Sequence, residues 1–162
     1  MAAEAKIKIG LDFHGVINEN PVYFKEFTSE AFARGWEIHV VTGGPYAKVV
    51  QKLNEWGIRY TKVFAIFDFY NRKGLAEVRP DGEFKIDSNL WDTAKAKYCK
   101  SHHISMHIDD SKIYERDFST PYCIYNAEQR FCELKNGCVI NLEISISETL
   151  DEIENFLNGK CP

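Results

Sequence analysis

The stretch Lys6-Ile7-Lys8-Ile9-Gly10-Leu11-Asp12-Phe13-His14-Gly15 decides how the chain is read. Ile7, Ile9, Leu11 and Phe13 are apolar at every second position, the period of a β-strand. The strand predicted over 6–13 runs out into the turn Asp12-Phe13-His14-Gly15. The period then changes. Val22, Phe24, Phe27, Ala31 and Phe32 predict the buried stripe of a helix over Pro21 to Arg34, with Gly35 as its C-terminal cap. Glu37 to Val41 is a second strand ending in Thr42-Gly43-Gly44-Pro45, Tyr46 to Trp56 a second helix closed by Gly57, and Tyr60 to Phe67 a third strand. This alternation requires crossover connections, so it predicts an α/β fold on a parallel sheet with right-handed crossings.

The rhythm breaks over 68–89. Pro80-Asp81-Gly82 separates two short runs, Leu75 to Arg79 and Glu83 to Ile86, and predicts a small β-hairpin. A helix over Leu90 to Lys100 follows, then a strand over Ile104 to Ile108 that ends in Asp109-Asp110-Ser111, and another over Tyr122 to Tyr125. A hairpin is expected within Arg130 to Ile146 around Asn136-Gly137. The last helix, Leu150 to Leu157, is expected to be capped by Ser147 or Thr149, with Thr149 and Glu152 forming a capping box.

Length and composition narrow the classes. The 162 residues, 44% hydrophobic and 27% charged, suit one globular domain over 1–162 and exclude disorder or coiled coil for the chain as a whole. A net charge of −4 offers no basic field for duplex nucleic acid and none for an anionic membrane surface. No apolar run approaches the roughly 20 residues of a membrane span, and Met1 to Lys8 shows no signal-peptide pattern. Cys99, Cys123, Cys132, Cys138 and Cys161 are odd in number and contain no C-x-x-C pair, so reduced, packing thiols in a cytoplasmic protein are expected. His102, His103 and His107 match no zinc spacing, although His107 and Asp109 alternate along one strand.

Three strands end in polar turns, and the carboxyl ends of parallel strands converge on a crevice. Asp12, His14, Thr42, Gly43, Gly44, Asp109 and Asp110 are thereby expected to meet. Clustered carboxylates repel unless a cation or shared protons neutralise them. An all-oxygen set suits a hard divalent ion such as Mg²⁺.

From about Lys6 to Ser111 the chain resembles the haloacid dehalogenase (HAD) superfamily. Asp12-Phe13-His14-Gly15-Val16 is similar to its D-x-D-G-[TV] motif, Val40-Val41-Thr42-Gly43 to its strand ending in Thr, and Ile108-Asp109-Asp110-Ser111 to its acidic pair. Lys95 is the best placed match to the motif lysine, ahead of Lys97, Lys85 and Lys100. The resemblance implies a three-layer Rossmann-like fold with helices on both faces and a small hairpin insertion over about 68–89. It also implies a Mg²⁺-dependent phosphatase. Asp12 would be the nucleophile that forms an aspartyl-phosphate. Mg²⁺ would sit on Asp12, the backbone carbonyl of His14, and Asp109 or Asp110. Thr42, Gly43, Gly44 and Lys95 would bind phosphate. Where the family's phosphatases have a second Asp, this chain has His14, which would serve as acid and base or would mark a weak or silent relative. With no large cap, the site is expected to be open to a phosphorylated small molecule, with nucleotides as one class, closed in by a neighbouring subunit, or to a macromolecular end.

Overall fold

The computed structural model describes residues 4–161, so the reading of Met1 to Ala3 lies outside the described residues. The elements in chain order are β1 (Lys8–Leu11), α1 (Pro21–Ala33), β2 (Glu37–Thr42), α2 (Tyr46–Glu55), β3 (Lys62–Ala65), α3 (Ile66–Arg72), β4 (Ala76–Val78), β5 (Phe84–Ile86), α4 (Ser88–Ser101), β6 (Met106–Asp109), β7 (Tyr122–Asn126), β8 (Phe131–Leu134), β9 (Val139–Asn141) and α5 (Ile146–Leu157). Short 3₁₀ turns at Ile17–Glu19 and Glu115–Asp117 follow β1 and β6.

Seven strands form one sheet in the order β3-β2-β1-β6-β7-β8-β9. The pairs from β3 to β7 are parallel, and β8 and β9 extend the sheet antiparallel. The expected hairpin around Asn136-Gly137 is the β8–β9 pair. The opening stretch explains the layering. Ile9 lies level with Ile38 and Met106, and Leu11 with Val40 and Ile108, so these residues line one face. They are buried in one cluster with Phe24 and Phe27 of α1, Val49 and Leu53 of α2, and Leu150 and Ile153 of α5. Each of these large side chains contributes roughly 1.5–3 kcal/mol through burial. On the other face Val41 is buried with Tyr98 and Cys99 of α4, and α3 packs on α4 through Ile66, Tyr70 and Ala94. Helices therefore cover both faces of a mostly parallel sheet.

Several local expectations are corrected. Val22 is 74% exposed, because Phe24, Phe27, Thr28 and Ala31 already define the buried face of α1 and Val22 points away from it. The third strand stops at Ala65: Ile66 and Tyr70, one turn apart, bury a helical stripe, so 68–89 begins inside α3 rather than in a loop. β4 and β5 pair antiparallel as expected. The last helix starts a turn early. Ser145 is its N-cap, with its hydroxyl accepting from the Glu148 amide at 3.2 Å. Thr149 and Glu152 instead hold the end of β9: Thr149 Oγ1 donates to the Asn141 carbonyl at 2.8 Å, and Glu152 accepts from the Asn141 amide at 2.7 Å.

The reading of the cysteines as reduced thiols is also corrected. Cys123 is bonded to Cys132 and Cys138 to Cys161, with Cα–Cα distances of 5.4 and 5.5 Å, and Cys99 is buried and free. The antiparallel turn of β7 into β8 brings the first pair together, and the chain after α5 returns to the β8–β9 turn to make the second. Among the described residues no helix is long and apolar enough to cross a membrane.

Candidate functional site

Strand order reverses at β1, which has β2 on one side and β6 on the other. In an open α/β sheet that reversal opens a crevice at the carboxyl ends of the strands. Asp12 follows β1 directly, and its amide donates to the Ile108 carbonyl of β6 at 2.9 Å. Its carboxylate Oδ1 accepts from the Phe13 amide at 2.8 Å. Only 5% of Asp12 is exposed. Carboxylate oxygens of Asp12, Asp109 and Asp110 lie within 4.8 Å of one another.

Lys95 reaches this cluster from α4. Its ammonium stands 3.1 Å from Asp12 Oδ1 and 2.7 Å from Asp109 Oδ2, and the side chain is almost wholly buried. Lys97, Lys85 and Lys100 are exposed. Burial opposes the charge on Lys95, but Asp12 and Asp109 outweigh it and hold the ammonium above the ordinary lysine range. Asp109 is buried too, yet the hydrogen bond from His107 and the charge of Lys95 keep its carboxyl below the usual range. For Asp12 burial dominates. With Asp109 and Asp110 adding repulsion and Lys95 opposing, its pKa is pushed up to about 8. With no further cation beside it, Asp12 therefore favours its protonated form at pH 7, and the Lys95 ammonium is balanced by Asp109.

Asp109 and Asp110 differ in their commitments. Asp109 is fully buried: Oδ2 accepts from Lys95 and His107, and Oδ1 accepts from the Ser111 amide at 3.1 Å. Asp110 is exposed and stands over Gly15. Gly15 has φ +87°, which strains any other residue, and a Cβ there would come within 2.1 Å of Asp110 Oδ2 and push that carboxylate away.

Thr42 ends β2 and is fully buried, and its hydroxyl accepts from the Gly44 amide at 3.2 Å, leaving its proton free to donate. His14 is exposed, its ring edge-on to Phe13 at 4.9 Å, and it makes no side-chain hydrogen bond among the described residues.

Other residues complete the site without having been singled out. Trp91 stands 3.1 Å from where a Gly43 Cβ would lie, and its indole N–H donates to the Tyr114 hydroxyl at 3.1 Å. The Tyr114 ring lies under the Lys95 ammonium at 4.8 Å. Asp68 accepts from the Tyr46 amide at 2.8 Å and so caps α2 beside Gly44. His107, noted only for its alternation with Asp109, is fully buried and donates from Nε2 to Asp109 at 3.0 Å; burial pushes its pKa down, which keeps the ring neutral. A Cβ at Gly10 would lie 2.5 Å from its Nδ1, so the close approach of β1 and β6 here depends on glycine.

Three oxygen-bearing side chains around one lysine suit a hard cation by donor chemistry, and a divalent ion would counter the burial and the carboxylate repulsion that raise Asp12. No family model, no curated protein and no solved structure matches the chain.

Proposed function

We propose that the chain is a Mg²⁺-dependent phosphohydrolase of phosphomonoesters, related to the HAD superfamily, with Asp12 as nucleophile. The observation that carries this reading is the placement of Asp12: buried at the end of β1, paired to Lys95, with the Asp110 carboxylate beside it. Asp12 and Asp110, together with the His14 carbonyl that the resemblance adds, are the groups that would hold the ion. Asp109, whose Oδ2 is taken by Lys95 and His107, positions the lysine. The ion, when bound, offsets the charge of the phosphate and of the attacking carboxylate.

In this reading an Asp12 carboxylate oxygen attacks phosphorus, the bond from phosphorus to the leaving oxygen breaks, and that oxygen takes a proton. Water then attacks the aspartyl-phosphate, releasing phosphate and restoring Asp12. Thr42 donates its hydroxyl to a phosphoryl oxygen, and Lys95 balances the charge that Asp12 shares with the phosphate. His14 is the residue available to give and take the proton.

A second reading has an observation in its favour. His14 stands exposed and unpartnered where an acid and base should be held in place. On this reading the chain binds phosphate or metal and does not turn over. Hydrolysis of an aryl phosphate, with Mg²⁺ and with chelator, separates the two. The first reading expects Mg²⁺-dependent turnover that Asp12→Asn abolishes and His14→Ala reduces. The second expects a silent wild type that His14→Asp activates. Turnover surviving Asp12→Asn would overturn the nucleophile.

A further inference from the structure

Helix α4 serves two sites with two faces. Lys95 turns toward the carboxylates, whereas Leu90, Ala94, Lys97 and Tyr98, spaced three or four residues apart, turn toward a groove of about 690 Å³ between α4, α3 and the edge strand β3. The floor of this groove is apolar and largely aromatic, made by Phe64, Phe69, Tyr70, Tyr98 and Leu90. Phe64 stacks on Tyr98 at 4.6 Å, and Tyr98 stacks on His102 at 3.9 Å.

Its rim is of one sign. Lys62, Arg72, Lys73 and Lys97 all line the groove, and no Asp or Glu does. Among the described residues none of these four is in an ion pair. Lys73 lies over the Phe69 ring at 4.4 Å, and Lys62 approaches His102 at 3.5 Å. In a chain of net charge −4, four unpaired cations around an apolar floor are a local reversal of the overall balance. The volume is that of a small-molecule site. Aromatic rings below and cations above recognise a flat apolar body that carries an anionic group.

We infer that this groove is a second binding site, separate from the carboxylate cluster, for a small aromatic anion: a planar ring system bearing a phosphate, sulfonate or carboxylate. The inference stands whether or not Asp12 is a nucleophile, since no residue of the cluster lines the groove.

The probe is 8-anilinonaphthalene-1-sulfonate, followed by fluorescence in metal-free buffer. Its neutral counterpart N-phenyl-1-naphthylamine has the same ring system without the sulfonate. The sulfonate is expected to bind the wild type saturably and at least about tenfold more tightly than the neutral compound, and to weaken with salt. Lys73→Glu/Lys97→Glu, both on exposed positions, is expected to weaken it at least about tenfold. Lys25→Glu/Lys160→Glu, which makes the same charge change away from the groove, is expected to leave it unchanged. Equal affinity for the charged and neutral probes, or equal loss in the two double variants, would overturn the site. Displacement of the probe by decyl sulfate as readily as by an aromatic sulfonate would overturn the aromatic assignment.

Discussion

Replacing Lys95 by Met tests the charge balance on which the carboxylate cluster rests. Methionine keeps most of the stem and removes the ammonium. In the wild type that ammonium stands 3.1 Å from Asp12 and 2.7 Å from Asp109, with 3% of the residue exposed. Without it the buried Asp109 carboxylate loses its cation, and Asp12 beside it is driven further toward its protonated form. Losing one partner of a buried pair costs about 3–5 kcal/mol. Asp12, pushed up to about 8, already favours its protonated form and adds little repulsion, which places the expected loss at pH 7 at the low end, about 3 kcal/mol. Unfolding entropy of about 2.1 cal/mol/K per residue then converts the loss, over 162 residues, into a fall in Tm of roughly 9 °C. The assay is thermal and urea unfolding followed by circular dichroism in chelator. Adding Asp109→Asn to Lys95→Met removes the unpaired buried charge and is expected to return at least about 1 kcal/mol. A fall in Tm below about 2 °C, or strict additivity of the two substitutions, would refute the account of Lys95 as the buried cation that neutralises the cluster.

Three further outcomes follow from the same geometry. Gly15→Ala places a methyl against Asp110 at positive φ, and urea unfolding is expected to show a loss of about 1–2 kcal/mol from the backbone alone, with weaker Mg²⁺ binding by calorimetry. Burial pushes the His39 pKa down to about 4; Glu37 on its own strand, Lys8 on β1, Lys62 on β3, Tyr98 of α4 and His102 just after it surround it. The unfolded chain, with an ordinary histidine near 6.5, binds the proton more readily, so this contribution is complete above pH 6.5 and lost as the pH falls toward 4. About 2 kcal/mol, discounted for solvent screening, is expected to disappear over that window and to be absent from the pH profile of His39→Leu. Dithiothreitol is expected to lower the urea midpoint by an amount equivalent to about 3 kcal/mol per bridge, from closed loops with sequence separations of 9 and 23; an unchanged midpoint would contradict the pairing.

What was legible in the sequence was what has a short-range cause. The alternation Ile7, Ile9, Leu11 and the helical spacing of Phe24, Phe27 and Ala31 reflect burial on one side of an element, so strand and helix order were readable. The meeting of Asp12 and Asp109 was readable because parallel strands bring their carboxyl ends together. Asp109 and Asp110 are adjacent in sequence, and only the structure separates a buried partner of Lys95 and His107 from an exposed carboxylate over Gly15. The cysteine pairs were illegible because they depend on tertiary placement: Cys123 lies opposite Leu134 and Cys132 opposite Tyr125, so the first bridge is diagonal across the β7–β8 ladder. Trp91 and Tyr114 carry no motif, and their role rests on a hydrogen bond across 23 residues. Thr149 and Glu152 have capping-box spacing, but β9 competes for both side chains.

The central claim is that Asp12 is a carboxylate poised to accept a phosphoryl group with a divalent ion beside it. Fluorine NMR of the protein with beryllium fluoride, with and without Mg²⁺, tests it most directly, because beryllofluoride bonds to a carboxylate oxygen as a phosphoryl group would. The account predicts bound-fluoride signals in the wild type that require Mg²⁺ and vanish in Asp12→Asn. The same signals in Asp12→Asn, or their absence from a folded wild type saturated with Mg²⁺, would contradict it.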